Sequence, residues 1–234
     1  MNEIKRNTGN LYFQQLKWLY WFVGIIALIR IGMYFIEIYF PETETPLTSF
    51  VEFAYQSNKI FMLVAGLMSV YVFLGMFIEY GKTRKLFFQS SITAFVLVAL
   101  TLTVLVFLIS GLEHLIRPGL PAVSAINETT MLTYSISAFF TYSFTLMLYY
   151  ALGMIITSGF YRFGWLRGLG FVAAGLFILL LESIIWETEF AFFGTGLHQF
   201  DVPIPLALLL TLGLTALTSA AVLQIIKKTP VKLK

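Results

Sequence analysis

The sequence predicts an all-α integral membrane protein with six transmembrane helices, and three observations carry the prediction. Of its 234 residues 59% are apolar and only 12% charged, about half the charged share of a soluble domain. Mean hydropathy is +0.85. The apolar residues gather into six runs, each long enough to cross a hydrocarbon core of about 30 Å, which takes about 20 helical residues. This composition excludes a soluble enzyme domain, a disordered tail and a collagen-like or mucin-like stalk. A chain without cysteine has no disulfide framework and no thiol catalysis.

The first run extends from about Trp18 to Phe40. Its apolar core is too long for a signal peptide and no small-x-small cleavage site follows it, so it reads as a retained span. Before it lies residues 1–17, where Leu11, Tyr12, Leu16 and Trp18 alternate with Gln14, Gln15 and Lys17. That pattern predicts a short helix lying flat at the cytoplasmic interface, or a basic, aromatic-anchored helix start. The second run covers about Ile60 to Ile78, the third Ser91 to Leu112, the fourth Met131 to Thr157, the fifth Leu169 to Ile185 and the sixth Pro205 to Ile226. No short-period repeat marks a solenoid, and no alternating ten-residue blocks mark a barrel.

The connecting segments set the orientation. The N-terminus, the second-to-third loop, the fourth-to-fifth loop and the C-terminus hold Lys5, Arg6, Lys17, Lys82, Arg84, Lys85, Arg162, Arg167, Lys227, Lys228, Lys232 and Lys234, twelve of the fifteen basic residues. The opposite loops hold Lys59 and Arg117 but most of the acids, among them Glu52, Glu113, Glu182 and Glu189. Basic loops stay cytoplasmic, so both termini are expected inside, with residues 227–234 as a cytoplasmic tail. Clustering of the basic residues between apolar runs also fits an anionic membrane face better than nucleic acid.

Chemistry is sparse. Gly81-Lys82-Thr83 invites comparison with a phosphate-binding loop, but position 76 is Met76 where that motif needs glycine, and the segment ends a span rather than a strand. His114 and His198 belong to no metal-ligand pattern. A site from Glu189, His198 and Asp201 is conceivable, yet carboxylate-rich loops are generally just solvated, so neither a catalytic nor a metal residue is expected. Arg30 and Glu37, seven apart on one face of the first span, carry more. Arg30 is expected near mid-bilayer, where a charge is costly and faces the bundle or a wet cavity. The pair reads as a polar contact lining a pathway or gate, or equally as a buried salt bridge that fixes helix packing or an Arg30 that reaches toward cytoplasmic headgroups. The connection 186–203, with Phe190, Phe192, Phe193, Leu197 and Phe200 broken by Gly194 and Gly196, predicts a re-entrant extracellular hairpin, since irregular backbone at that depth must be buried or line water. Gly164-x-x-x-Gly168 is a spacing that permits close helix contact.

The most informative stretch is the cytoplasmic loop 79–90. Glu79 is followed by Gly81, which breaks the second span, then Thr83, which can cap a helix, then Arg84-Lys85 and the aromatics Phe87 and Phe88. Together these features describe a short amphipathic helix lying across the cytoplasmic face, with the aromatics available to plug into a partner's groove; the bland reading is a basic stop-transfer flank. The pattern Glu79-x-Gly81-x-Thr83-Arg84-Lys85-x-x-Phe88 resembles the segment between spans two and three of ABC type-2 exporter permeases. The resemblance implies that this segment is a coupling helix docking into a groove of a separate cytoplasmic ATPase, which binds the ATP and Mg while this chain is not itself an enzyme. It further implies a second permease copy or paralogue, the bacterial cytoplasmic membrane as location, and outward movement of an amphiphilic peptide, antibiotic or lipid-like cargo. The alternative is a non-transporting accessory or immunity protein that binds a partner or an amphiphile.

Overall fold

A computed structural model describes residues 2–39, 48–117, 131–186 and 202–227. The described residues form helices without a strand: α1 (Asn2–Tyr39), α2 (Phe50–Glu79), α3 (Arg84–Ile116), α4 (Met131–Phe163), α5 (Trp165–Ile185) and α6 (Ile204–Lys227). All six are long and apolar enough to span a membrane. The predicted hairpin 186–203 and the tail 227–234 lie almost wholly outside the described residues.

Every helix starts or ends beyond its apolar run, because polar residues extend it into the bundle. α1 is unbroken over 38 residues, about 57 Å at 1.5 Å per residue. Residues expected to form a separate flat segment are its first turns, and Asn7, Leu11 and Gln15 there are buried. α2 begins ten residues before its apolar run at Phe50, where Ser49 caps it by accepting from the Glu52 N–H. Between Ser69 and Leu74 it widens into a π-helical stretch.

The chain runs up and down. α2 ends in a Schellman-type turn: the Lys82 N–H reaches the Phe77 carbonyl and the Gly81 N–H the Ile78 carbonyl, both at 2.9 Å. Gly81 sits at φ +67°, a left-handed conformation that glycine adopts without a Cβ clash. α4 and α5 are joined by a single residue, Gly164, at φ +81°.

α4 is the centre, touching α2, α3, α5 and α6. Two thirds of its spanning window is buried, against 17% for α1 and 22% for α5. Its closest approach is to α2: a Cβ on Gly153 would stand 2.2 Å from the Leu63 carbonyl oxygen, and one on Gly66 would stand 2.1 Å from that of Tyr150. Backbones meet there because neither residue has a side chain, the association mode expected where water gives no hydrophobic drive. The spacing at Gly164 and Gly168 acts differently, since Gly168 receives the Phe160 ring across the α4–α5 turn. α1, α5 and α6 expose Trp21, Leu28, Leu166, Phe177, Leu209 and Leu217 outward, faces suited to lipid or to another protein.

Candidate functional site

The α2–α3 turn is built as a fixed knuckle. Thr83 caps α3 by accepting the Leu86 N–H at 3.2 Å, as its sequence position suggested. Lys82 donates to the Asn7 side-chain oxygen of α1 at 2.7 Å and lies over the Phe77 ring. Arg84 donates to the carbonyl of Lys227 at the end of α6 at 3.2 Å. The beginning of α1, the turn and the end of α6 therefore share one end of the bundle, the basic end. Phe87 is fully buried, packed edge-on to Phe77 at 5.4 Å, and Phe88 is half-buried against the core. Glu79, Tyr80, Gly81, Thr83 and Lys85 are exposed.

Two expectations for this segment need correcting. It forms no separate helix across the face: α3 starts at Arg84 and continues unbroken to Ile116. Phe87 does not project outward, because its position four residues past the cap turns it onto the buried stripe shared with Ser90, Ser91 and Ala94.

At the other end of the bundle Arg30 and Glu37 do share a face, but they do not pair with each other. Arg30 Nε donates to Glu113 Oε1 of α3 at 2.7 Å, and its Nη2 donates to the Thr48 carbonyl at 2.6 Å. The Tyr34 hydroxyl also donates to Glu113, and the Phe50 N–H donates to Glu113 Oε2 at 3.1 Å. Glu113 is thus a carboxylate at the N-terminus of α2, where the helix dipole favours negative charge. Farther along, Glu37 meets Arg117 at 2.5 Å in a half-exposed pair, and the carboxylate pushes the Arg117 pKa further up. The four charges form a ladder, i and i+7 on α1 against i and i+4 on α3, with Tyr34 under both guanidiniums.

Arg30 therefore lies level with the first residue of α2 and the last turn of α3, not at the middle of the spans. Its surroundings match the salt-bridge reading: the side chains of Arg30 and Glu113 are 4% and 8% exposed. A small crevice of about 340 Å³ runs beside them between α1 and α3, lined mostly by Ile31, Ile38, Ile109, Leu112 and Ile116.

A second buried pair was not anticipated. Lys59 of α2 and Glu182 of α5, both read from sequence as loop residues, stand 3.7 Å apart with side chains 5% and 3% exposed. At that distance they attract without a hydrogen bond, and Glu182 Oε1 has no donor within bonding distance among the described residues. The Tyr55 and Tyr149 rings flank the ammonium. Next to it Asn58 donates to the Tyr142 hydroxyl. The signal in the sequence was a lysine one position before the second run and a glutamate inside the fifth; that the two pair carried none.

Compared with protein-family models, characterised proteins and solved structures, the chain matches none. Fold and site together define a class: a multi-pass helical membrane protein whose six spanning helices are pinned by buried ion pairs at one end and by a basic turn at the other.

Proposed function

We propose that this chain is the transmembrane permease subunit of an ATP-driven exporter, with its basic end in the cytoplasm and its motor on a separate ATPase. The observation that supports the reading is the anchoring of the α2–α3 turn. A permease driven from outside needs a surface for the motor and a stiff connection from that surface to several helices. Glu79, Tyr80 and Lys85 offer the surface. Phe87 ties the turn to α2, Lys82 to α1 and Arg84 to α6, so a displacement there loads three helices at once. The ATPase would meet the turn and the first turn of α3 directly rather than a detached helix. ATP closure would then act as a population shift, effective only as far as the ATPase favours one arrangement of the turn. The apolar outer faces of α1, α5 and α6 suit a second permease copy, and an amphiphilic cargo would move between the two.

Purification in mild detergent tests this reading. The wild-type chain should carry along a soluble-type ATPase of about 200–300 residues. Glu79→Lys with Lys85→Glu, both at exposed positions, should release it and abolish ATP-driven extrusion from vesicles. Full transport by the isolated wild-type chain without nucleotide, or by the double variant, would overturn the proposal.

A further inference from the structure

The basic end holds a groove of about 630 Å³ between the first turns of α1 and the last turns of α2. Its α1 wall carries Asn7, Leu11 and Lys17, and its α2 wall carries Phe73 and Phe77, closed at the end by Lys82. From Asn7 to Lys17 is ten residues, about 15 Å along the helix. The walls differ in character: amide and ammonium groups run along the α1 side from Asn7 through Gln14 to Lys17, while the α2 side is mostly aromatic. No acidic side chain is among the described lining residues.

Asn7 points to a ligand. It is 1% exposed, and Lys82 Nζ donates to its Oδ1 at 2.7 Å. An ammonium has only donors, so this contact fixes which end of the amide is oxygen. Nδ2 is left as a buried donor with no acceptor among the described residues, a costly state that an anionic oxygen beside Lys82 would relieve. Lys17 adds a second cation to the lining: its ammonium lies 5.3 Å from the ring centre of Phe13, one turn back toward the terminus.

We infer that this groove binds an anionic phospholipid, its phosphate held between Lys82 and the Asn7 amide with Lys17 alongside, and the start of its acyl chain lying on Leu11, Phe73 and Phe77. Lipid, rather than a free anion, follows from continuity. The groove opens beside the exposed Phe13 and Met76, at the end of six apolar helices, where a headgroup and a chain arrive together. The inference goes beyond the permease reading and does not depend on it.

The test uses full-length protein equilibrated with vesicles of phosphatidylcholine and phosphatidylglycerol, followed by native mass spectrometry of the lipids that stay bound. Phosphatidylglycerol should be retained over phosphatidylcholine. Lys82→Gln and Lys17→Gln should each lower its retention about fivefold, the effect of one basic residue at an anionic surface. Lys85→Gln, an exposed charge outside the groove, should leave retention unchanged, and Lys82→Arg should keep it. Lys17 is exposed, so its variant reports on binding even if Lys82→Gln disturbs the fold. Equal retention of the two lipids, equal loss in the Lys85 variant, or no loss in the Lys17 variant would overturn the inference. Displacement of the lipid by excess inorganic phosphate would overturn it too, in favour of a free-anion site.

Discussion

Replacing Glu113 by Ala removes the acceptor for three donors at once: Arg30 Nε, the Tyr34 hydroxyl and the Phe50 N–H. Arg30 is 3% exposed, so its charge stays buried without its carboxylate. Breaking a buried ion pair from one side costs about 3–5 kcal/mol. Arg30→Met should cost a similar amount, because it leaves the carboxylate in place of the guanidinium. The double variant, Arg30→Met with Glu113→Leu, removes both charges and fills the space with apolar atoms. It leaves the Phe50 N–H and the Tyr34 hydroxyl without that acceptor, as Glu113→Ala also does, about 1–3 kcal/mol for each that stays buried. The double variant is therefore expected to be more stable than Glu113→Ala, and its loss smaller than the sum of the singles. Unfolding by SDS titration in mixed micelles, followed through the four tryptophans, measures all three. Single losses below about 1 kcal/mol, or a double loss equal to the sum of the singles, would refute the reasoning that the pair is buried and coupled.

Four further outcomes follow from the same geometry. Gly153→Ala should weaken the α2–α4 contact by at least about 1–3 kcal/mol, as overpacking does, whereas Gly24→Ala, with nothing within 4 Å of the new Cβ, should be neutral or stabilise by up to about 1 kcal/mol; equal effects in the same titration would contradict the backbone contact. Lys59→Met should cost about 3 kcal/mol or more, and adding Glu182→Gln should recover most of it; no recovery would mean that the two do not sense each other. Thr83→Ala should lose about 1 kcal/mol as a cap, seen as faster amide exchange at Leu86, and unchanged exchange would count against the cap. Arg117→Gln should change stability by less than about 1 kcal/mol, since its pair with Glu37 is half-exposed; a loss as large as that of Arg30→Met would remove the distinction drawn between the two pairs.

What the sequence made legible was the interior of each span, because a run of Leu, Ile, Val and Phe has one reading in a chain this apolar. The ends were harder. Hydropathy places Lys59 and Glu113 just outside their runs, while the structure buries them against partners on other helices, so α2 starts ten residues early and α3 ends beyond Leu112. The common face of Arg30 and Glu37 followed from helical spacing alone. Their partners did not, since an ion pair between positions 30 and 113 is set by how two helices cross, which no local pattern encodes. Gly81 and Thr83 were readable as a breaker and a cap because turn chemistry is local. The inward turn of Phe87 was not read, although four residues past a cap its direction is fixed by the phase of the helix that follows.

The widened stretch Ser69–Leu74 sets that phase for α2. Bonds that skip five residues instead of four slip the angular register of everything after them. Upstream, one stripe of α2 lies on α4 through Gly66; downstream, the continuing stripe delivers Phe73 to Trp18 of α1 and Phe77 to Phe87 of α3. Just before the slip, the Leu67 carbonyl takes an extra bond from Thr157 at 3.1 Å. The helix is thus a rod with a joint between two sets of grips: α3, α4 and α5 hold it before the stretch, and α1 and α3 hold it within and after it.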